Sequence, residues 1–296
     1  MENQGLGNFW KSRFALLGYP DDLAVKNVNG RTGASKGPAK FLECLMKLKG
    51  KVPVLGSISS NFLVPVGADL EENYRKAADC TEKEFRGLNS KTDALIAVGG
   101  GHDYGYPWIQ GLRRALPSGA RLGCINLDAH FDLREFHPVM TSGSPFRRLI
   151  EEMILSPSQL VEFGIQGHCN APELWKYAKE KKIRTLPMEQ LRSGRAVAKF
   201  RSELLSLRRK VDFVVVSLDL DSISLSLAPG VSAPQPEGFN ATEVFQMLEI
   251  AGADSKVISL GIFELSPPLD VQDHTSRLAA QAAWKFMQNK MNRNKT

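Results

Sequence analysis

Leu122-Gly123-Cys124-Ile125-Asn126-Leu127-Asp128-Ala129-His130-Phe131-Asp132 is the stretch that decides how this chain is read. An apolar run suited to a buried strand gives way to acidic side chains at alternate positions, with a histidine between them. The same change recurs in Phe213-Val214-Val215-Val216-Ser217-Leu218-Asp219-Leu220-Asp221. A carboxylate at the end of an apolar strand is costly unless something cationic meets it. In extended backbone, residues i, i+2 and i+4 share a direction. Asp128, His130 and Asp132 are therefore expected to point one way, and so are Asp219 and Asp221.

Working outward, apolar runs that read as strands lie at 14–17, 94–98, 122–127, 160–163, 213–218 and 257–263. Helical patterns fall between them, at 38–48, 74–88 and 275–291. Pro38 in a first turn and Gly50 beyond a last one are the expected punctuation. Strands alternating with helices predict an α/β fold: three α/β/α layers around a doubly wound, mostly parallel sheet. His102 (after Gly99-Gly100-Gly101), Asp128, Asp219 and Glu264 would then all sit at carboxyl ends of strands. That edge of an open parallel sheet is where ligands bind.

The 296 residues, 43% hydrophobic and 24% charged, are compatible with one globular catalytic domain spanning 1–296. No uninterrupted apolar run of about 18 residues occurs, so no membrane span is expected. Residues 1–10 lack the basic-then-apolar order of a signal peptide, which predicts a cytoplasmic protein. The four cysteines, Cys44, Cys80, Cys124 and Cys169, include no Cys-x-x-Cys pair and fit a reducing compartment. The net charge of +6 is spread over short patches such as 208–210 and the tail 285–295. This argues against a nucleic-acid partner and suits an acidic small-molecule substrate equally well.

His102, Asp128, His130, Asp132, Asp219 and Asp221 make two imidazoles and four carboxylates. Mixed nitrogen and hard oxygen donors without a thiolate favour Mn2+, with Zn2+, Ni2+ or Fe2+ as other occupants. Four aspartate charges balance two divalent cations, and water bridging such a pair ionises near neutral pH.

Gly99-Gly100-Gly101-His102-Asp103, Asp128-Ala129-His130-Phe131-Asp132 and Ser217-Leu218-Asp219-Leu220-Asp221 resemble the three metal motifs of the ureohydrolases, the arginase and agmatinase superfamily. The resemblance runs from Asn29-Gly30-Arg31-Thr32-Gly33-Ala34 to Thr275-Ser276-Arg277-Leu278-Ala279-Ala280. It implies that Asp128 and Asp219 bridge two Mn2+ ions, one completed by His102 and Asp132 and the other by His130 and Asp221. Glu264, in Phe263-Glu264-Leu265-Ser266-Pro267, matches the family glutamate that holds the substrate's cationic amidine or guanidine. Members commonly form trimers or hexamers, so a homo-oligomer is implied as well.

Three departures from arginases narrow the resemblance. The first motif reads Gly100-Gly101-His102-Asp103, Phe146 replaces a proton-shuttling histidine, and the third motif continues through Ala228-Pro229-Gly230-Val231-Ser232-Ala233-Pro234. With Phe131-Asp132-Leu133-Arg134, these are similar to formimidoylglutamases. That branch hydrolyses N-formimino-L-glutamate to glutamate and formamide in histidine breakdown, through a metal-bridging hydroxide. Asp132 is then the expected proton donor, and His137 a surface residue. Arg134, Arg147 and Arg277 are expected on the substrate carboxylates, with Ser142 and Asn170 beside them. The other readings are an agmatinase-like or guanidino-acid hydrolase releasing urea, and a metal-containing sensor of an acidic ligand.

Overall fold

The computed structural model describes residues 14–50, 62–88 and 93–292. Residues 1–10 and the end of the basic tail, read above, lie outside them. The strands are β1 (Phe14–Gly18), β2 (Ala94–Val98), β3 (Leu122–Leu127), β4 (Leu160–Ile165), β5 (Arg184–Pro187), β6 (Phe213–Asp219) and β7 (Val257–Phe263). They form one sheet in the order β1-β2-β7-β6-β3-β4-β5, and every neighbouring pair is parallel. Six of these strands coincide with the apolar runs. β5 was not expected, because only Leu186 of its four residues is buried and an exposed arginine opens it.

The helices are α1 (Leu23–Asn27), α2 (Gly37–Met46), α3 (Leu70–Arg86), α4 (Gly105–Ala115), α5 (Pro145–Glu151), α6 (Pro172–Glu180), α7 (Ala196–Arg208), α8 (Ala241–Ala253) and α9 (His274–Asn292). α3 begins four residues before its expected start, since Asp69 caps it by accepting from the N–H groups of Glu71 and Glu72. α2 ends at Met46, before Gly50 is reached.

Strand alternation sorts the core into two faces. Phe14, Leu16, Ile96 and Val216 pack with Phe41 of α2, Leu204 of α7, Met247 of α8 and Phe286 of α9. Ala15, Leu17, Leu95 and Val215 pack on the other side with Tyr74 of α3, Leu112 of α4 and Leu149 of α5. The result is the expected three-layer α/β/α arrangement, with both faces of the parallel sheet covered. Among the described residues, no helix is long and apolar enough to cross a membrane.

The loop after β2 ties three strand ends together. Gly99 N–H donates to Ile262 C=O, Gly100 N–H to Tyr19 C=O, Gly101 N–H to Asp21 C=O, and Glu264 N–H to Gly100 C=O. A Cβ on Gly100 would lie 1.7 Å from the Asp21 carbonyl oxygen, so only glycine permits this approach. Gly100→Ala is expected to lower the unfolding free energy by about 1–3 kcal/mol, read from the urea midpoint. An unchanged midpoint would show that the loop is not held in this way.

Candidate metal centre

β2, β7, β6 and β3 are neighbours in the sheet, and their carboxyl ends deliver His102, Glu264, Asp219 and Asp128 to one place. The ligand-bearing edge is therefore continuous across four strands. The convergence of Asp128, His130 and Asp132 has a different cause from the one the sequence suggested. Strand β3 ends at Leu127, the chain bends at Ala129 and His130, and Asp132 has a positive φ. Asp128 Oδ1 accepts from its own neighbour His130 N–H at 2.8 Å, and Asp219 Oδ1 accepts from Asp221 N–H at 2.8 Å. Each aspartate thus closes a tight turn on residue i+2. Asp132 then adopts φ 51°, and Glu264 adopts φ 66° at the end of β7. Two non-glycine residues held in the left-handed region beside one cavity store strain that the surrounding packing must offset.

The donor atoms converge on two points. His102 Nδ1 lies 3.0 Å from Asp128 Oδ2, 2.8 Å from Asp132 Oδ2 and 3.0 Å from Asp219 Oδ2. None of these contacts has hydrogen-bond geometry, so the buried Nδ1 is without a partner. His102 Nε2 lies 2.8 Å from Ser217 Oγ. An N–H there, donated to Ser217, leaves the Nδ1 lone pair facing the three carboxylates, as in a metal-ligating imidazole. A second group consists of Asp128, His130 and Asp221, with His130 Nδ1 3.6 Å from Asp128 Oδ1 and 3.4 Å from Asp221 Oδ2. Asp128 belongs to both groups. Asp219 falls in the first group only, with its second oxygen turned to the Asp221 N–H.

Electrostatics makes this arrangement costly at neutral pH without cations. Like charges about 4 Å apart repel by about 4 kcal/mol at an effective dielectric of 20. Burial, then Asp221 and Asp128, push the Asp219 carboxyl well above the usual range. Burial also lifts Asp221 to about 6, and burial with Asp219 lifts Glu264 well up. Burial alone would depress His102, but Asp132, Asp128 and Asp219 together hold it well above the ordinary imidazole value. Asp128 goes down despite burial, because both imidazoles face it. The orphaned His102 Nδ1 and Asp221 Oδ1, with their hard nitrogen and oxygen surroundings, fit a pair of divalent cations.

The cluster forms the floor of a cavity of about 430 Å³. Glu264 lines it; Oε1 accepts from His102 N–H at 2.9 Å, and the buried Oε2 has no partner. Arg134 and Ser142 line it too. An added Cβ on Gly143 would lie 2.9 Å from Arg134 Cδ, so a side chain there would push the arginine aside. Asn170 lines the mouth, but it holds the metal loop: Nδ2 donates to the Ala129 and Gln166 carbonyls, and Oδ1 accepts from Phe131 N–H.

Two expected substrate residues do not reach the cavity. Arg147 lies 3.7 Å over the Tyr177 ring and pairs with Glu151, and Arg277 is exposed on α9. Arg31, which was not singled out, does line it. Its guanidinium donates to the Val231 and Ser232 carbonyls, each at 2.9 Å. Its place in Asn29-Gly30-Arg31-Thr32-Gly33-Ala34 was the available signal. His137 is exposed, and His168 is an exposed partner of Gln235 at 3.0 Å.

Comparison with known proteins agrees with this geometry. Residues 12–288 match the arginase family. The chain belongs to the arginase family. A formimidoylglutamase of Geobacillus thermodenitrificans is 32% identical over 271 residues, covering 90% of this chain and 81% of the relative. A Trypanosoma cruzi formiminoglutamase, solved with Mn2+, superposes with a TM-score of 0.81 at 29% identity, covering 95% of this chain and 94% of that one. The formimidoylglutamase of Bacillus subtilis shares the fold, with a TM-score of 0.85 at 24% identity and coverage of 96% and 88%. In this arginase-family chain Phe146 is fully buried and meets the His102 ring edge-on, with centroids 5.6 Å apart. Phe263 stacks on the same ring at 4.8 Å. The imidazole is thus clamped between two apolar rings.

Carboxyls raised by burial bind protons in the folded, metal-free protein that the unfolded chain has already released. Their contribution to stability is complete below about pH 4 and is lost as pH rises, through about 6 for Asp221. In EDTA, the melting temperature is expected to fall between about pH 4 and about pH 7, less steeply in Asp221→Asn. A divalent cation should reverse the trend, since it replaces those protons. Identical slopes in the variant and the parent would contradict the assignment.

Proposed function

We propose that this chain is a single-domain hydrolase that uses two Mn2+ ions to split N-formimino-L-glutamate and water into L-glutamate and formamide. The observation that carries the substrate class is the pair of guanidinium groups, Arg31 and Arg134, beside a carboxylate–imidazole floor. Among the described residues neither has a carboxylate partner. Agmatine would bring a second cation toward this rim, whereas formiminoglutamate brings two carboxylates. Relatives named formimidoylglutamase that align with about nine-tenths of the chain support the same reading.

His102, Asp128, Asp132 and Asp219 would hold one ion, and Asp128, His130 and Asp221 the other. When bound, such a pair supplies Lewis-acid polarisation and a water that ionises near neutral pH. The remaining work falls to the chain itself. Glu264, anchored through Oε1 to His102 N–H, offers its free Oε2 to the N–H groups of the planar formimino cation and fixes its orientation. Arg134 and Arg31 take the glutamate carboxylates, Arg31 being braced by two carbonyls. Ser142 borders the same space. Among the described residues, no imidazole lines the cavity except His102 and His130. We therefore assign to the Asp132 carboxylate, at the cavity wall, the transfer of a proton from the attacking water to the departing amine nitrogen. Phe146 excludes water behind His102 and carries no proton.

Mn2+-loaded protein is expected to release formamide from N-formimino-L-glutamate and no urea from agmatine, arginine or 4-guanidinobutyrate. Asp128→Ala should abolish turnover. Arg134→Ala should raise KM about 10- to 100-fold with a smaller change in kcat, the worth of a charge-assisted hydrogen bond. Urea production without formamide would move the substrate to a guanidino compound and refute this reading.

A further inference from the structure

Behind the candidate ligands, three adjacent strands each place a buried polar side chain at one level. Asn126 of β3 is in register with Glu162 of β4 on one side and Ser217 of β6 on the other, and all three are fully buried. Asn126 and Ser217 precede Asp128 and Asp219 by two residues and belong to the same strands or their ends. Interior positions of a parallel sheet are normally apolar, and a polar group there is costly unless its contacts answer for it.

Ser217 meets His102 Nε2, as described. The Asn126 amide nitrogen divides its two hydrogens between Glu162 Oε2 at 3.0 Å and Asp128 Oδ2 at 3.3 Å. Among the described residues, Asn126 is the only hydrogen-bond partner of the Glu162 carboxyl. The glutamate makes no ion pair there and does not line the cavity. Its one polar contact holds the group that holds Asp128.

We propose that Asn126 and Glu162 are positioning residues: Glu162 fixes the Asn126 amide, and Asn126 fixes Asp128, the residue common to both cation groups. This rests on the two-cation reading above. It has a consequence that a merely structural pair lacks. Loosening Asp128 weakens both cations together, while a change at Asp132 or Asp221 acts on one group only. Outer contacts of this kind alter metal affinity about 10- to 100-fold when removed.

The test is a Mn2+ titration of metal-free protein by calorimetry, alongside the melting temperature of the metal-free form. Glu162→Met keeps the volume and leaves Asn126 without its acceptor. Glu162→Gln keeps an acceptor oxygen, and burial already pushes the native carboxyl well above the usual range. Glu162→Met and Asn126→Ala should weaken both sites together by about 10- to 100-fold. Glu162→Gln should bind both ions within about threefold of the parent, well below that range. If Glu162→Met does not fold, Glu162→Gln and Asn126→Ala still decide the matter. Parent-like affinity at both sites in Asn126→Ala or Glu162→Met, or a loss in Glu162→Gln as large as theirs, would overturn the positioning role alone. A parent protein that binds no Mn2+ would overturn the metal reading as well.

Discussion

The repulsion among four aspartates gathered at one edge of a parallel sheet is the constraint on which the rest of this protein depends. Asp128, Asp132 and Asp219 each bring an oxygen to within about 3 Å of a single imidazole nitrogen, and Asp221 lies close by. Nothing in a hydrophobic core requires that arrangement, and burial makes it worse. Protons can relieve it at acid pH, as the raised carboxyls show; divalent cations relieve it at neutral pH. The fold supplies the opposing energy through two extensive apolar faces, which fix the four central strands whatever their ends carry.

The local geometry follows from short-range chemistry. Asp128 and Asp219 each accept from the N–H two residues on, so the chain turns as it leaves the strand and presents the next ligand to the same point. The glycine loop after β2 lets the backbone approach Asp21 closely enough to bring His102 N–H onto Glu264. Phe146 and Phe263 then fix the imidazole plane. An arginase-family frame thus carries a cavity with a carboxylate–imidazole floor, lined by Glu264 with its unpartnered Oε2 and by Arg31 and Arg134.

Much of this was legible in the sequence, because buried parallel strands leave continuous apolar runs and the ligands stand at their ends. Six strands and the grouping of His102, Asp128, His130, Asp132, Asp219 and Asp221 could be read that way. β5 escaped because a short edge strand needs no apolar run. The six side chains do come together, but turns and not extended backbone aim His130 and Asp221. Charge type alone could not sort the arginines. Arg147 and Arg277 sit beside motif residues in sequence yet do not line the cavity, while Arg31 arrives from a distant loop through contacts with Val231 and Ser232. The Asn126–Glu162 pair was hidden for a related reason, as register between strands is not written in either strand by itself.

The central claim is that the carboxylate edge holds two cations that share Asp128. Electron paramagnetic resonance during Mn2+ titration of metal-free protein tests it most directly, because neighbouring Mn2+ ions couple their spins. The account predicts uptake of two equivalents and the spectrum of a coupled pair, with both lost in Asp128→Ala. A single equivalent giving the six-line signal of an isolated ion would contradict it.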